Sequence, residues 1–292
     1  MATHSRQMRK HMLRTLHIFL ALAFLTFSSS SFAGARLDDA KKSGLTLGFS
    51  NEPPFAFKQA DGSLAGSDYD LAKLAFNRLG VERIEGTVVA FGSLIPGLQA
   101  KRFDFIATGL YILPARCLQV LFTEPNFTVQ EGLLVRKGNP KQIHSLDDIV
   151  KHEDIKVGGN ISGQPTQNAV KAGVKDSQIT RFPDIPSNVA SLKAGRIDGA
   201  LLISVTARWN AKNDPTLEVA EPYTGLLIDG KPKQDYGAFA FRKEDSELRD
   251  AFNAEMLKIV HSSEYVEILK KYGMTQNEVP AADVKLDTLC KQ

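Results

Sequence analysis

Two rhythms of apolar and polar positions run along this chain. Short apolar runs mark buried strands, and stretches in which apolar side chains return every three or four positions mark helices with one face on a core. Residues 45–49 form the first run. After the turn signal Asp61-Gly62, the residues Leu71, Leu74, Ala75 and Leu79 fall at helical spacing, which predicts a helix over 67–79 with Ser67 or Asp68 as its cap. Further strands are predicted at 87–90, 105–107, 132–135, 155–158, 181–182, 200–203 and 238–241. Helices are predicted near 91–100, from Pro114, behind a cap at Ser145, from Pro165, over 187–194, over 246–261 and over 263–272. Proline suits the first helical position, where its missing N–H costs little. Strands alternating with helices predict an α/β chain with mostly parallel sheets flanked by helices.

A weak internal repeat divides this pattern in two. Leu98-Gln99-Ala100-Lys101-Arg102-Phe103-Asp104 is echoed by Leu192-Lys193-Ala194-Gly195-Arg196-Ile197-Asp198, and each copy leads from an amphipathic segment to an apolar run. Two similar lobes follow. The apolar strands near 132–136 and 237–241 are then the two crossings between them, so the first lobe is discontinuous, 34–134 plus 239–292, and 135–238 forms the second. Two crossing strands make a hinge, and a hinge between α/β lobes places a cleft at the strand ends.

The first 33 residues stand outside this scheme. Arg6, Arg9, Lys10 and Arg14 precede an apolar stretch from Leu16 to Phe27, and Ser31-Phe32-Ala33 or Ala33-Gly34-Ala35 offers a small-x-small cleavage site. This is the pattern of a secretory signal peptide removed on export; about 12 apolar residues fall short of the roughly 20 needed to span a bilayer. The leader holds basic residues and no acidic ones, so the net charge of +3 belongs to it and the remainder is near neutral. Nothing in that charge suggests a nucleic-acid surface, and no nucleic-acid partner is expected. The chain has two cysteines, Cys117 and Cys290. In an oxidising compartment such a pair predicts one disulfide tying the C-terminal tail to the helix from Pro114, with two unpaired thiols as the alternative.

Candidate chemistry gathers at the strand ends of the first lobe. Asn51-Glu52-Pro53-Pro54-Phe55 follows strand one, Phe91 follows strand two, and Gly109, Tyr111 and Arg116 follow strand three. Glycine at 109 allows close approach to the backbone, and Arg116 can hold a carboxylate through two parallel charge-assisted hydrogen bonds. The rings of Phe55, Phe91 and Tyr111 suit a delocalised cation, each by about 0.5–2 kcal/mol, with Glu52 as the opposite charge. The set fits a small zwitterion. From the second lobe, polar groups are expected from 160–164, including Gln164, from the helix start at Thr166, and from Ser204-Val205-Thr206. Metal and nucleophile motifs are absent: there is no HExxH, no G-x-S-x-G and no P-loop.

These residues resemble the extracellular solute-binding proteins of polar amino-acid ABC importers. Glu52-Pro53-Pro54-Phe55, Gly66-Ser67-Asp68-Tyr69-Asp70-Leu71, Leu94-Ile95-Pro96-Gly97-Leu98, Arg102-Phe103-Asp104 and Pro114-Ala115-Arg116 carry the resemblance, which runs from about Leu45 to Tyr272. It implies a two-lobed periplasmic binding protein of type II, a monomer that binds a small molecule, docks on a membrane permease and uses no cofactor. Within that family the block from Leu110 to Cys117 looks most like the ectoine/hydroxyectoine-binding proteins. Their glutamate, aromatic box and carboxylate-binding arginine fall on Glu52, on Phe55, Phe91 and Tyr111, and on Arg116. Two departures stand out. The second repeat strand ends Leu202-Ile203-Ser204, without the aspartate that meets an α-ammonium in amino-acid binders of the family. The second-lobe loop reads Gly163-Gln164-Pro165 where Gly-Thr-Thr is common. The alternatives are a polar amino acid or betaine as ligand, or a periplasmic dehydratase with Glu52 as its general acid.

Overall fold

A computed structural model describes residues 35–291; the expected signal peptide lies outside the described residues. After helix α1 (Ala35–Ser43), the first lobe is built from strand β1 (Leu45–Phe49), a hairpin of β2 (Phe57–Lys58) and β3 (Leu64–Ala65), helix α2 (Ser67–Arg78) and strand β4 (Ile84–Val88). Helix α3 (Leu94–Gln99), strand β5 (Phe105–Ile106), helix α4 (Pro114–Cys117) and strands β6 (Leu121–Phe122) and β7 (Phe127–Val129) follow. The second lobe holds β8 (Glu131–Arg136), α5 (Leu146–Lys151), β9 (Val157–Asn160), α6 (Gln164–Lys171), β10 (Ile179–Phe182), α7 (Ile185–Lys193), β11 (Gly199–Ile203), α8 (Ser204–Asn213) and β12 (Leu217–Val219). A hairpin of β13 (Leu227–Ile228) and β14 (Lys231–Pro232) leads to β15 (Asp235–Gly237) and β16 (Ala240–Phe241), then α9 (Ser246–Val260), α10 (Ser263–Lys271) and α11 (Leu286–Leu289).

Each lobe has a five-stranded sheet, ordered β4-β1-β5-β16-β6 in the first and β10-β9-β11-β8-β12 in the second. In each sheet four strands run the same way and the fourth in order, β16 or β8, runs antiparallel to both its neighbours. The sheets are thus mostly parallel, as expected, and each is made mixed by a single reversed strand. β8 pairs over its length with β11 and β12, so the division expected at residue 134 falls inside a second-sheet strand. The crossing ribbon lies just outside both sheets, where β7 pairs antiparallel with β15. We place the lobe boundaries there.

The sequence echo has a structural cause. The Asp104 main-chain N–H donates to Thr46 O (2.7 Å) and its carboxylate accepts from Thr46 N (2.8 Å). Asp198 does the same with Lys156, at 2.6 and 2.9 Å. Each carboxylate also faces an arginine, Arg242 in one lobe and Arg136 in the other. The preceding apolar residue lies over a glycine of the neighbouring strand, Phe103 over Gly48 in β1 and Ile197 over Gly158 in β9, where a Cβ would come within 2.3 and 2.5 Å of it. The apolar/Asp pair is therefore a clamp that starts β5 and β11 beside β1 and β9. The cap expected at Ser67 or Asp68 does not form: Gly66 occupies that position, and no side chain caps α2. Asp68 is committed elsewhere.

Candidate functional site

The clamps aim the carboxyl ends of β1, β5, β9 and β11 at one cleft between the lobes, which holds about 380 Å³ of space between its walls. The first lobe contributes Glu52, Phe91, Gly109, Tyr111 and Arg116. Asn160, Gly163, Gln164, Pro165 and Thr166 come from the β9–α6 junction. The floor is apolar, from Ile185 and from Leu201, Leu202 and Ile203 at the end of β11.

Glu52 sits in a tight turn closed by its N–H to Ala56 O (2.9 Å). Its carboxyl is buried, and that burial together with the neighbouring Asp68 carboxylate pushes its pKa up to about 8, against the Thr206 and Ser50 hydroxyls and the Arg116 charge. Asp68, raised by burial to about 6, accepts from Gly109 N (3.0 Å) and Asn126 Nδ2 (2.8 Å). It thereby fixes the backbone at Gly109, whose φ of +65° strains any side chain and where a Cβ would sit tightly, 3.0 Å from the Phe55 ring.

Arg116 is 9% exposed, and burial lowers its pKa to about 10, so it stays charged. Its guanidinium donates to Tyr111 O and, across the cleft, to Ser162 O, both at 3.1 Å, and lies 5.5 Å from the centre of the Phe91 ring. Three buried polar atoms of the lining have no hydrogen-bond partner in the protein: Tyr111 Oη, Asn160 Oδ1 and Gln164 Oε1. Unpaired buried polar atoms cost about 1–3 kcal/mol each, so three around one cleft mark a place for a polar ligand. Burial, then the negative charges of Asp235, Glu131 and Glu52, hold the Tyr111 hydroxyl neutral.

Two expected lining residues lie elsewhere. Phe55 is wholly buried beneath the site, its ring 4.6 Å from that of Phe127, so it supports Gly109 from behind rather than facing the cleft. Ser204 opens α8 with its N–H on Gln130 O (2.9 Å) and does not line the cleft; the buried Thr206 hydroxyl two positions further on stands beside Glu52. Phe91 lines the cleft but already faces the Arg116 cation. Thr166 lines it too, with its hydroxyl spent on Asn160 O (2.9 Å). Ile185 and Leu201 were missed, because a cleft-facing aliphatic residue reads like any core residue. Cys117 and Cys290 form a disulfide, joining α4 to the end of α11. Among the described residues, no group of three His, Cys, Asp or Glu is placed to hold a metal, and no helix is long and apolar enough to cross a membrane.

The model of the bacterial extracellular solute-binding proteins, family 3, matches residues 45–275. The chain belongs to that family. It is a type II, two-lobed binding protein, the solute-capturing component of an ABC importer of the polar amino-acid type, in a family that binds substrates rather than converting them. A probable amino-acid ABC transporter periplasmic-binding protein of Sinorhizobium fredii is 36% identical to this solute-binding protein over 267 residues, 90% of this chain and 88% of the relative. Among solved structures, EhuB in complex with hydroxyectoine superposes with a TM-score of 0.76 at 33% identity, over 88% of this chain and 98% of that one. An ancestral amino acid-binding protein described as a precursor of cyclohexadienyl dehydratase superposes with a TM-score of 0.70 at 28% identity, over 81% and 99%.

Proposed function

We propose that this binding protein captures a small zwitterionic compatible solute, ectoine or hydroxyectoine, and delivers it to its permease by closing the two lobes on it. It acts as a monomer in the periplasm, after removal of the leader at 1–33. The observation that carries this reading is the pairing, in one small cleft, of a buried cation and a buried carboxyl with aromatic faces beside them. Arg116 meets the ligand carboxylate, Glu52 the opposite cationic end, and Phe91 and Tyr111 the delocalised charge between. Gly109, Gln164 and Thr166 complete the contacts. Similarity to EhuB, whose structure holds hydroxyectoine, supports the same class of ligand.

A polar amino acid is the second reading, supported by the amino-acid binders among the relatives. Against it, β11 ends in Ile203 and α8 begins with Ser204, leaving no acid there for an α-ammonium. Thermal unfolding against ectoine, hydroxyectoine, betaines and amino acids separates the two. A ligand at about 100 times its Kd adds about 2.7 kcal/mol. Stabilisation by the ectoines is expected, and stabilisation by an amino acid alone would overturn the reading. Glu52 holds its proton near neutral pH, as a dehydratase acid would. NMR of the ligand recovered after incubation is therefore expected to show it unchanged.

A further inference from the structure

A half-buried carboxylate outside the cleft ties down polar groups of the second lobe. Glu131, at the start of β8, accepts from Leu226 N (2.8 Å) through one oxygen and from Asn168 Nδ2 (2.6 Å) through the other. Asn168, 2% exposed, turns its Oδ1 to Gln164, whose Nε2 donates to it at 2.8 Å. Gln164 and Asn168 are one helical turn apart at the start of α6, the spacing at which such side chains meet. The remaining amide atom of Gln164, Oε1, is buried against the cleft without a partner. The loop before Leu226 is shaped for the carboxylate, since a Cβ at Gly225 would come within 2.2 Å of Glu131 Oε2.

An amide looks nearly the same either way round, so its orientation follows from its neighbours. A carboxylate only accepts. Asn168 must therefore point its NH₂ at Glu131, because the reverse would press two acceptors together. Its oxygen then faces Gln164, which must answer with its own NH₂, and the Gln164 oxygen is left for the cleft. Polarity passes along the row without any of the three being free to turn.

We infer that Glu131 is a positioning residue which, through Asn168, locks Gln164 as an acceptor and so selects zwitterions carrying an N–H or O–H donor over fully N-methylated betaines. This rests on the cleft being the ligand site proposed above. A ring N–H or an added hydroxyl can satisfy Gln164 Oε1. A quaternary ammonium cannot, and its methyl groups would bury that oxygen unpaired.

Isothermal titration of the protein with ectoine, hydroxyectoine, L-arginine and proline betaine provides the test. The wild type is expected to bind its N–H ligand at least about tenfold more tightly than proline betaine. In Glu131→Gln the amide can donate as well as accept, Asn168 and Gln164 are free to turn, and the ratio is expected to narrow by about tenfold. Asn168→Leu should narrow it equally, and Glu131→Gln added to Asn168→Leu should change nothing more. A ratio unmoved by Glu131→Gln, or equal weakening of both kinds of ligand, would overturn the relay and leave Glu131 merely structural. Equal wild-type affinity for proline betaine and the N–H ligands would overturn it too, with zwitterion capture intact. If arginine binds and the ectoines do not, the ectoine reading fails, and the relay is judged on the ratio of arginine to proline betaine. Binding of none of the four overturns both.

Discussion

At the scale of single residues, the protonation of Glu52 is the property most open to measurement. In the folded, ligand-free protein this carboxyl keeps its proton up to about pH 8, while an ordinary glutamate loses it near 4.5. Between those values the folded state binds more protons than the unfolded one, so stability falls as pH rises through that window and levels off above it. Asp68, raised to about 6, adds to the lower part of the same slope. Denaturant unfolding is expected to show this fall, and Glu52→Gln to flatten its upper half; a flat wild-type profile would mean that Glu52 is ionised throughout. A cationic ligand needs the ionised form. Its binding at pH 7 should therefore release protons, seen as a dependence of the titration heat on buffer ionisation enthalpy. Arg116 is the complementary case. Arg116→Ala should weaken binding by about 3–5 kcal/mol, because the ligand carboxylate is left buried without its partner. Both charges were legible in the sequence because their spacing after the strands is unusual for a core. Phe55 was misplaced because a phenylalanine after a strand is the same letter whether it faces a ligand or supports the loop that does. Glu131 and Asn168 left no signal at all, since their role depends on a third residue brought in by the fold.

At the scale of elements, the clamp at Asp104 and Asp198 explains why the repeat could be read: each copy spells out an apolar residue and an aspartate to start a strand beside its neighbour. The ends of β8 and β16 could not be read so well. Each is an apolar run that suits either sheet, and only pairing shows that β8 belongs wholly to the second and β16 to the first. β4 begins earlier than expected because it is half-exposed, which weakens its apolar pattern. α4 is only four residues long and carries Arg116, so its position depends on its attachments. One is the disulfide from Cys117 to Cys290, with a sequence separation of 173. Replacing both cysteines by serine should cost about 2–4 kcal/mol in denaturant unfolding, chiefly by freeing the unfolded chain. Ligand affinity should fall less than tenfold, because Arg116 remains held by Tyr111 O. A loss of binding as large as that of Arg116→Ala would show instead that the disulfide sets the position of the guanidinium.

For the whole molecule, the ribbon of β7 and β15, which crosses between the lobes, packs against the aromatic wall. Gly237 pairs with Phe127, and a Cβ there would come within 1.9 Å of the Phe127 ring. That ring in turn lies 4.6 Å from Phe55 and 6.3 Å from Tyr111, measured between centres. Gly237 also bridges to Tyr111 directly, and its carbonyl accepts from Asn126 N (3.0 Å), whose side chain holds Asp68. The ribbon thus touches the supports of both the aromatic and the acidic parts of the site. Gly237→Ala must push the Phe127 ring toward Phe55 and Tyr111, or open the ribbon. Overpacking of this kind costs about 1–3 kcal/mol, and denaturant unfolding should show a loss of that size. The site should be disturbed as well: if the ribbon and cleft form one packed unit, ligand affinity falls along with stability, and small-angle scattering shows a smaller compaction on adding ligand. A variant destabilised to this degree that still binds and compacts like the wild type would confine the role of Gly237 to packing.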